Sequence, residues 1–184
     1  MDTFSEMRKS YMEEGTIYFW TATIHRWIHL LEYDHFKSII IDSFAYLSNQ
    51  RKVDVFAFVL MPNHLHMIWR LVALNGKESS KASLMKYTAH RFQHYLRQHQ
   101  PHKLELFRVT LPNKNYQFWQ RDALAIRLYD SRIMEQKLDY LHENPLQEHW
   151  SLVTDPADYY YSSAAFYENG CGNFPFLKSI YDEF

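Results

Sequence analysis

The apolar residues in the first part of the chain follow strand-like patterns in three segments. Residues 17–24 (IYFWTATI) are dense in β-branched and aromatic side chains, which predicts a strand buried on at least one face. Residues 53–60 (VDVFAFVL) are almost continuously apolar, as expected of a central strand covered on both faces. Because Pro62-Asn63 is a turn signal, residues 64–72 are predicted to return antiparallel to the second strand.

Two amphipathic helices are predicted between and after these strands. The first spans residues 33–49, and the second spans residues 81–98 with Ser79 or Ser80 as its N-cap. The core stripe of the second helix consists of Leu84, Thr88, Phe92 and Tyr95/Leu96. Its opposite side carries a polar line of Lys86, His90, Gln93 and Arg97. Such a line is typical of a solvated helix face, and a ladder of phosphate contacts is the functional alternative.

The remainder of the core is predicted from the segment that follows Pro101. Residues 102–116 show no regular pattern apart from a turn at Pro112-Asn113, and residues 123–128 form a plausible last strand. The resulting order is strand, helix, strand, strand, helix, strand. This order predicts an α+β protein with a ferredoxin-like βαββαβ core and an antiparallel sheet.

No repeat or linker divides the chain, so one domain over residues 1–184 is expected. Its core covers about residues 17–145, and a C-terminal extension covers about residues 146–184.

A further helix is predicted after the last strand. Asp130 can cap it, and it runs to about Glu143, where Asn144-Pro145 stops it. Its apolar stripe consists of Met134, Leu138 and Leu141. Tyr140 and Asn144 are four residues apart and project about a quarter turn from that stripe. A phenol and an amide oxygen are therefore expected to share one face beside the docking surface.

The third predicted strand begins with a histidine pair. Side chains two residues apart in a strand project from the same face, so His64 and His66 are expected side by side at one edge of the sheet. Imidazole is the commonest protein metal ligand, so this pair is half of a candidate metal site. Two ordinary surface histidines on a half-buried strand are the alternative.

Composition excludes several classes of function. The chain has 184 residues and four glycines, too few for a glycine-rich phosphate loop. Its single cysteine, Cys171, cannot form an internal disulfide, and a free structural or surface thiol in a reducing compartment is expected. The sequence shows no signal peptide and no apolar run long enough to span a bilayer, so a cytoplasmic protein without membrane association is predicted.

The charge distribution differs along the chain. The formal net charge is -1, but the segment from Lys77 to Lys137 holds 12 Lys or Arg against 5 Asp or Glu. A concentrated positive region of this kind is the electrostatic footprint expected for phosphate contacts.

Four separated motifs, in this order, resemble those of the single-tyrosine HUH transposases, and most closely those of the REP-associated tyrosine transposases. They are Met61-Pro62-Asn63-His64-Leu65-His66, Phe118-Trp119-Gln120-Arg121, Tyr140-Leu141-His142-Glu143-Asn144-Pro145 and Tyr161-Ser162-Ser163. The resemblance covers roughly residues 17–170. It implies a ferredoxin-like core and a C-terminal helix that carries a nucleophilic tyrosine.

Carried over residue by residue, the resemblance implies that His64, His66 and Asn144 bind a divalent metal, Mg²⁺ or Mn²⁺, and that Tyr140 is the nucleophile. The better-described insertion-sequence members often have glutamine in place of Asn144 and aspartate in place of Asn63. The implied function is a DNA transposase or endonuclease that cleaves and rejoins single-stranded or hairpin DNA through a 5′-phosphotyrosine intermediate.

The implied partner is DNA, and basic side chains are the candidates for holding its backbone. They are Lys86, Arg91, Arg97, Arg121 and Arg127. Exposed aromatic side chains are candidates for stacking on unpaired bases. The sequence leaves open whether the protein is a monomer or a homodimer that exchanges the Tyr140 helix.

Two other functions remain open from the sequence. The first is a hairpin-binding protein of the same fold that no longer cleaves DNA. The second is a hydrolytic metalloenzyme built on the His64-Leu65-His66 pair. Such hydrolases normally recruit further histidines or aspartates near the pair, and residues 64–69 supply none.

Overall fold

The computed structural model describes residues 8–9, 11–121, 124–170 and 172–184. Two features of the sequence prediction fall outside these ranges: Cys171, which is expected to be a free thiol, and Ala123, the first residue of the predicted last strand. The described strands are β1 (Arg8–Lys9), β2 (Ile17–Thr23), β3 (Val53–Leu60), β4 (His64–Leu71), β5 (Arg108–Leu111), β6 (Lys114–Tyr116) and β7 (Leu124–Arg127). The described α-helices are α1 (Asp34–Asn49), α2 (Ser80–His99), α3 (Pro101–Leu104), α4 (Ser131–Glu143) and α5 (Ala164–Asn169).

The main sheet is antiparallel, with strand order β1-β7-β2-β4-β3. The four strands predicted from the sequence appear in the order β7-β2-β4-β3, with α1 between β2 and β3 and α2 between β4 and β7. This is the ferredoxin-like arrangement, so the predicted fold class is confirmed. The short β1 adds one more strand beside β7.

The segment before β7 differs from the prediction. Residues 102–116 were expected to be irregular, but β5 and β6 form a separate two-stranded hairpin around the predicted Pro112-Asn113 turn. The guanidinium of Arg108 donates hydrogen bonds to Glu105 and, across the hairpin, to the hydroxyl of Tyr116. Polar contacts between its strands stabilise this hairpin. The spacing of apolar residues along the sequence therefore did not predict it.

Alternation along the strands divides the core into two layers. On one face, side chains such as Leu65, Met67 and Trp69 of β4 pack in the cluster that includes α1 and α2. On the other face, Ile68 of β4 and Phe19 of β2 pack in the cluster that includes α4. The two histidines of β4 alternate with Leu65 and Met67, so they face the α4 layer.

The two long helices α1 and α2 bury one apolar stripe each against the sheet. Phe36, Ile39, Ile40, Phe44 and Leu47 of α1 are buried, as are Leu84, Thr88, Phe92 and Leu96 of α2. The hydroxyl oxygen of Ser79 accepts a hydrogen bond from the backbone N–H of Ala82, so Ser79 is the N-cap of α2. Full burial of each large apolar side chain stabilises the fold by ~1.5–3 kcal/mol, so these stripes hold both helices on the sheet.

Helix α4 packs on the second face of the sheet and is defined at both ends. The carboxylate of Asp130 accepts hydrogen bonds from the backbone N–H groups of Arg132 and Ile133. The helix ends at Glu143, and residues 144–146 continue as a 3-10 turn. Its predicted stripe of Met134, Leu138 and Leu141 is buried against the sheet.

The edge strand β3 is covered by the C-terminal part of the chain. Val59 forms a bridge to Ser162, and Val55 forms a bridge to Leu177. The hydroxyl of Tyr159 donates to the carbonyl of Leu60. An open strand edge is a template for pairing with another chain, and these contacts block it over much of its length.

Among the described residues, no helix combines the length and apolar character that crossing a bilayer requires.

Candidate active site

The histidine pair occupies the first and third positions of the internal strand β4, directly after the turn. Strand β4 has β2 on one side and β3 on the other, so the pair lies at the end of a central strand. His64 and His66 are both buried, and their ring centroids are 4.7 Å apart. Because β2 and β3 both pair with this end of β4, the strand is a rigid base for two metal ligands.

Each imidazole is oriented by a polar neighbour at its Nδ1 atom. The Nδ1 of His64 lies 2.7 Å from Oδ1 of Asn63, and the Nδ1 of His66 lies 2.7 Å from the hydroxyl oxygen of Thr21. An amide oxygen only accepts, so His64 donates from Nδ1 and carries its lone pair on Nε2. A bond of this kind to the distal nitrogen is how metal-binding histidines are normally held.

Both imidazoles are neutral at physiological pH. Burial lowers the pKa of His64 to about 4; Asn144, which can accept a hydrogen bond from the protonated ring, acts in the opposite direction, and Coulombic repulsion by His149 adds to the lowering. Burial lowers the pKa of His66 to about 3, helped by the charges of His64 and Lys137. A neutral imidazole is the form that binds metal, so both side chains are in the ligand form without any proton release.

Helix α4 brings the two other candidate residues to the histidines. The Tyr140 ring lies 5.3 Å from the His66 ring and 6.0 Å from the Phe19 ring, and 45% of Tyr140 is exposed. Asn144 is 4% exposed, and its Oδ1 is buried without a hydrogen-bond partner. The four side chains therefore line one cleft, with a phenol open to solvent and an amide oxygen held inside.

The cleft has a volume of about 470 Å³. It is lined by Thr21, Thr23, Trp27, Asn63, His64, His66, Tyr140, Asn144, Gln147, His149 and Trp150. No carboxylate is among these lining residues.

The donor set fits a metal ion, with a restricted choice of ligands. Among the described residues, no group of three or more His, Cys, Asp or Glu side chains is placed to hold a metal. The third protein ligand would therefore be Asn144, whose buried Oδ1 lacks the partner that such an atom normally has. Two imidazole nitrogens and one amide oxygen suit a borderline divalent cation, and imidazole favours a transition metal over Mg²⁺.

Sequence reasoning missed several residues of the cleft. Thr21 and Thr23 alternate along β2 and pair in register with His66 and His64, which no local pattern reveals. His149 and Trp150 follow α4 in a loop, and the Trp150 ring lies 5.9 Å from the His64 ring. In the sequence, the one indication of their role was that this loop directly follows the Asn144-Pro145 end of the Tyr140 motif.

Lys137 was also missed. It lies one helical turn before Tyr140, with its ammonium nitrogen 5.7 Å from the centre of the Tyr140 ring and 5.3 Å from that of Phe19. Its ammonium group therefore contributes positive potential beside the candidate nucleophile.

The five candidate DNA-binding residues do not form one cluster. Lys86 and Arg121 line a second cleft of about 590 Å³ between α2 and the β5–β6 hairpin. Arg91 and Arg97 are exposed on α2 and do not line it, and Arg127 is exposed at the end of β7.

The second cleft is basic and lies beside the first. Lys114 also lines it, and none of the lining residues that the structure describes carries a carboxylate. Burial and the neighbouring charge of Arg121 lower the pKa of Lys114. The backbone N–H of Gln120, another lining residue, donates to the carbonyl of Thr23, which lines the histidine cleft. The two clefts thus meet at the end of β2.

The architecture is that of a ferredoxin-like α+β protein with a histidine pair on a central strand and a tyrosine on a helix packed against the same face of the sheet. A solved structure of a REP-associated tyrosine transposase bound to a REP hairpin has this fold. The TM-score is 0.60, with 19% sequence identity, over 93% of this chain and 89% of that chain. No family model matches the sequence, and no curated protein matches it significantly.

Proposed function

We propose that this protein is a DNA strand transferase that cleaves and rejoins single-stranded or hairpin DNA through a covalent bond between Tyr140 and a 5′-phosphate. The observation that carries the proposal is the meeting of Tyr140 and Asn144 from α4 with His64 and His66 from β4 in one cleft. A similar fold in a transposase bound to a DNA hairpin supports the choice of substrate.

The proposed chemistry is a phosphoryl transfer in which the energy of the broken phosphodiester bond is kept in the phosphotyrosine bond. The phenolic oxygen of Tyr140 attacks the phosphorus, the bond from phosphorus to the 3′ oxygen breaks, and that oxygen takes a proton to become a free 3′-hydroxyl. The phenol proton leaves to solvent, which reaches Tyr140 because the side chain is half exposed. Attack of a different 3′-hydroxyl on the phosphotyrosine releases Tyr140 and joins the strands, so no nucleotide cofactor is needed.

His64, His66 and Asn144 would hold the divalent metal, which when bound polarises the scissile phosphate and neutralises its charge. The remaining work belongs to the protein. Asn63 and Thr21 fix the two imidazoles, and Lys137 adds positive charge near the phenol. A neutral phenol is a weak nucleophile, so the attack on phosphorus needs this positive environment.

The second cleft is the proposed path of the DNA backbone next to the reaction. Lys86, Lys114 and Arg121 line it, and hydrogen bonding at Gln120 and Thr23 places it against the histidine cleft. Phosphates held by these cations would lead a strand toward Tyr140. An unpaired strand is the expected substrate, because a phosphate within a regular duplex cannot be turned into a cleft of this kind.

The test is covalent adduct formation on a library of DNA hairpins with single-stranded flanks. The parent protein with Mn²⁺ is expected to give a protein–DNA adduct of increased mass, and Tyr140→Phe is expected to give none. Tyr46→Phe is the matched control, because Tyr46 is an exposed tyrosine on α1, in the opposite layer of the fold. Adduct that persists in Tyr140→Phe would remove Tyr140 from its role.

The same assay addresses the alternative function. Metal-independent hairpin binding by the parent protein, with no adduct on any hairpin or metal, would identify a binding protein that does not cleave.

A further inference from the structure

A strained turn lies at the mouth of the histidine cleft. Arg26 and Trp27 follow β2, and both have left-handed backbone conformations, with φ of 55° and 58°. This conformation is costly for residues with a Cβ atom, and two in succession without a glycine are unusual. Strain of this kind persists where surrounding contacts enforce it, and it concentrates at functional sites.

The turn exposes a large aromatic side chain beside the site. Trp27 is 58% exposed, lines the histidine cleft and lies with its ring centroid 6.5 Å from that of His64. Within the described part of the chain, its only ring contact is this edge-on one with His64 at an interplanar angle of 69°. Its indole faces are therefore not stacked on another ring among the described residues.

The contacts that hold the turn also hold the site. The backbone N–H of Trp27 donates to the carbonyl of Ile24, and the carbonyl of Trp27 accepts from the side-chain amide of Asn63. The other end of the same amide, Oδ1, accepts from the Nδ1 of His64. One asparagine thus fixes the position of Trp27 relative to the candidate metal ligand.

We propose that Trp27 stacks on an unpaired nucleobase adjacent to the phosphate that reacts with Tyr140, and so selects single-stranded over paired DNA at this position. The proposal rests on the proposed function. A base has a flat π face that matches an unstacked indole, and bases within a duplex have both faces covered by their neighbours. Arg26, exposed next to Trp27, is placed to meet the phosphate of the same nucleotide.

The first test is a binding experiment that does not depend on cleavage. All proteins carry Tyr140→Phe, and the probes are hairpins with unpaired flanks in which one flank base at a time is replaced by an abasic site. We expect one abasic position to weaken binding by about 5- to 150-fold, the range for loss of one stacked base. Adding Trp27→Ala should weaken binding to intact DNA by the same factor, and that abasic position should then have no further effect.

Two variants serve as controls. Trp27→Phe retains a ring and should recover most of the affinity. Tyr46→Ala removes an aromatic side chain that is 56% exposed on α1, outside the histidine cleft, and should leave binding unchanged. If each abasic position weakens binding equally in the protein with Trp27 and in the Trp27→Ala variant, the inference is overturned.

The second test separates a stacking role from a structural one. Trp27→Gly removes the ring and also relieves the left-handed strain, because glycine adopts positive φ without a steric penalty. We expect its melting temperature to be at least that of the parent while DNA affinity falls as in Trp27→Ala. A lower melting temperature together with unchanged DNA affinity would assign Trp27 to the fold alone.

The outcomes distinguish this inference from the proposed function. If the parent protein forms the Tyr140 adduct and the abasic scan is flat, Trp27 has no stacking role and the proposed function stands. If the parent protein neither binds nor cleaves any hairpin, the proposed function fails and this inference fails with it.

Discussion

The Nε2 atom of His142 lies 2.8 Å from the hydroxyl oxygen of Ser163, in the buried layer between α4 and the edge strand β3. Burial lowers the pKa of His142 to about 4, so the imidazole is neutral, and it shares a hydrogen bond with the Ser163 hydroxyl. The same hydroxyl oxygen accepts from the backbone N–H of Phe58. A serine in the C-terminal extension therefore joins the helix that carries Tyr140 and Asn144 to the sheet that carries the histidines.

Replacing Ser163 by alanine is expected to lower the free energy of unfolding by about 1–3 kcal/mol, because it leaves a buried imidazole and a buried N–H without partners. Adduct yield should fall with it, since α4 would lose a contact that sets its position. Urea titration measures the first effect. Ser38→Ala is the control, because the Ser38 hydroxyl is exposed on α1 and donates to a carbonyl of its own helix. Equal stabilities of the two variants would contradict the prediction.

Thr21→Val is expected to weaken Mn²⁺ binding by about 10- to 100-fold, because it removes the partner of the His66 Nδ1 without changing side-chain shape. Titration of the apo protein with Mn²⁺, followed by water-proton relaxation, gives the affinity. Thr23→Val is a matched control on the same strand and face, since Thr23 lines the cleft and pairs in register with His64. Equal losses in both variants would show that the hydroxyl of Thr21 has no specific role.

Asn144→Asp is expected to have opposite effects on the two forms of the protein. A carboxylate at a position that is 4% exposed should lower the free energy of unfolding of the apo protein by about 1–3 kcal/mol. The added negative charge should increase the melting-temperature gain on adding Mn²⁺, because tighter binding stabilises the folded state more at a given metal concentration.

Thermal melts with and without Mn²⁺ measure both effects of Asn144→Asp. Gln147→Glu is the control, because it adds the same charge to the same cleft at an exposed position. A metal response of Asn144→Asp no larger than that of the parent would argue against Asn144 as a ligand.

The double variant Lys114→Ala/Arg121→Ala is expected to weaken hairpin binding and to reduce its salt dependence. Each lost phosphate contact on a single strand should lower the slope of log affinity against log salt by about 0.7, so the pair should lower it by about 1.4. Binding measured in Tyr140→Phe across a range of salt concentrations gives the slope.

The control for the second cleft is Arg51→Ala/Lys77→Ala. Both side chains are exposed, and Arg51 lies beside the end of β4 opposite to the histidines, where the N–H of Val72 donates to the carbonyl of Lys52. An unchanged slope in Lys114→Ala/Arg121→Ala would place the DNA elsewhere.

Asp54→Asn is expected to lower the free energy of unfolding at pH 7 by about 1–3 kcal/mol. The carboxylate is mostly buried and accepts hydrogen bonds from Arg70 and Lys178. Burial raises the pKa of Asp54, but the bonds from Lys178 and Arg70 outweigh it, so the net pKa is lowered from 3.8.

The pH dependence of that difference follows from the direction of the shift. Because the folded pKa is the lower one, the stabilisation is fully present above about pH 4 and is lost as the pH falls through the folded pKa. The gap between parent and Asp54→Asn should therefore close in strong acid, as measured by urea titration over a pH series. Asp34→Asn is the control, since Asp34 is an exposed partner of Lys37 and should change stability by less than about 1 kcal/mol.

Much of the fold followed from local patterns in the sequence. The bounds of β3 and the caps of α2 and α4 match prediction, because apolar periods and capping side chains act over a few residues. The β5–β6 hairpin was missed for the opposite reason. Its stability comes from contacts of Arg108 with Glu105 and Tyr116, which carry no hydrophobic period.

The shared face of His64 and His66, and that of Tyr140 and Asn144, were also determined by the sequence, because spacings of two in a strand and four in a helix fix the direction of neighbouring side chains. Only the tertiary structure decided that these two faces meet. Which side of the sheet α4 covers depends on packing between segments more than sixty residues apart, and the placement of Thr21 beside His66 depends on strand register. The strained turn at Trp27 likewise depends on its contact with Asn63, which lies 36 residues away and meets the turn only once the sheet has assembled.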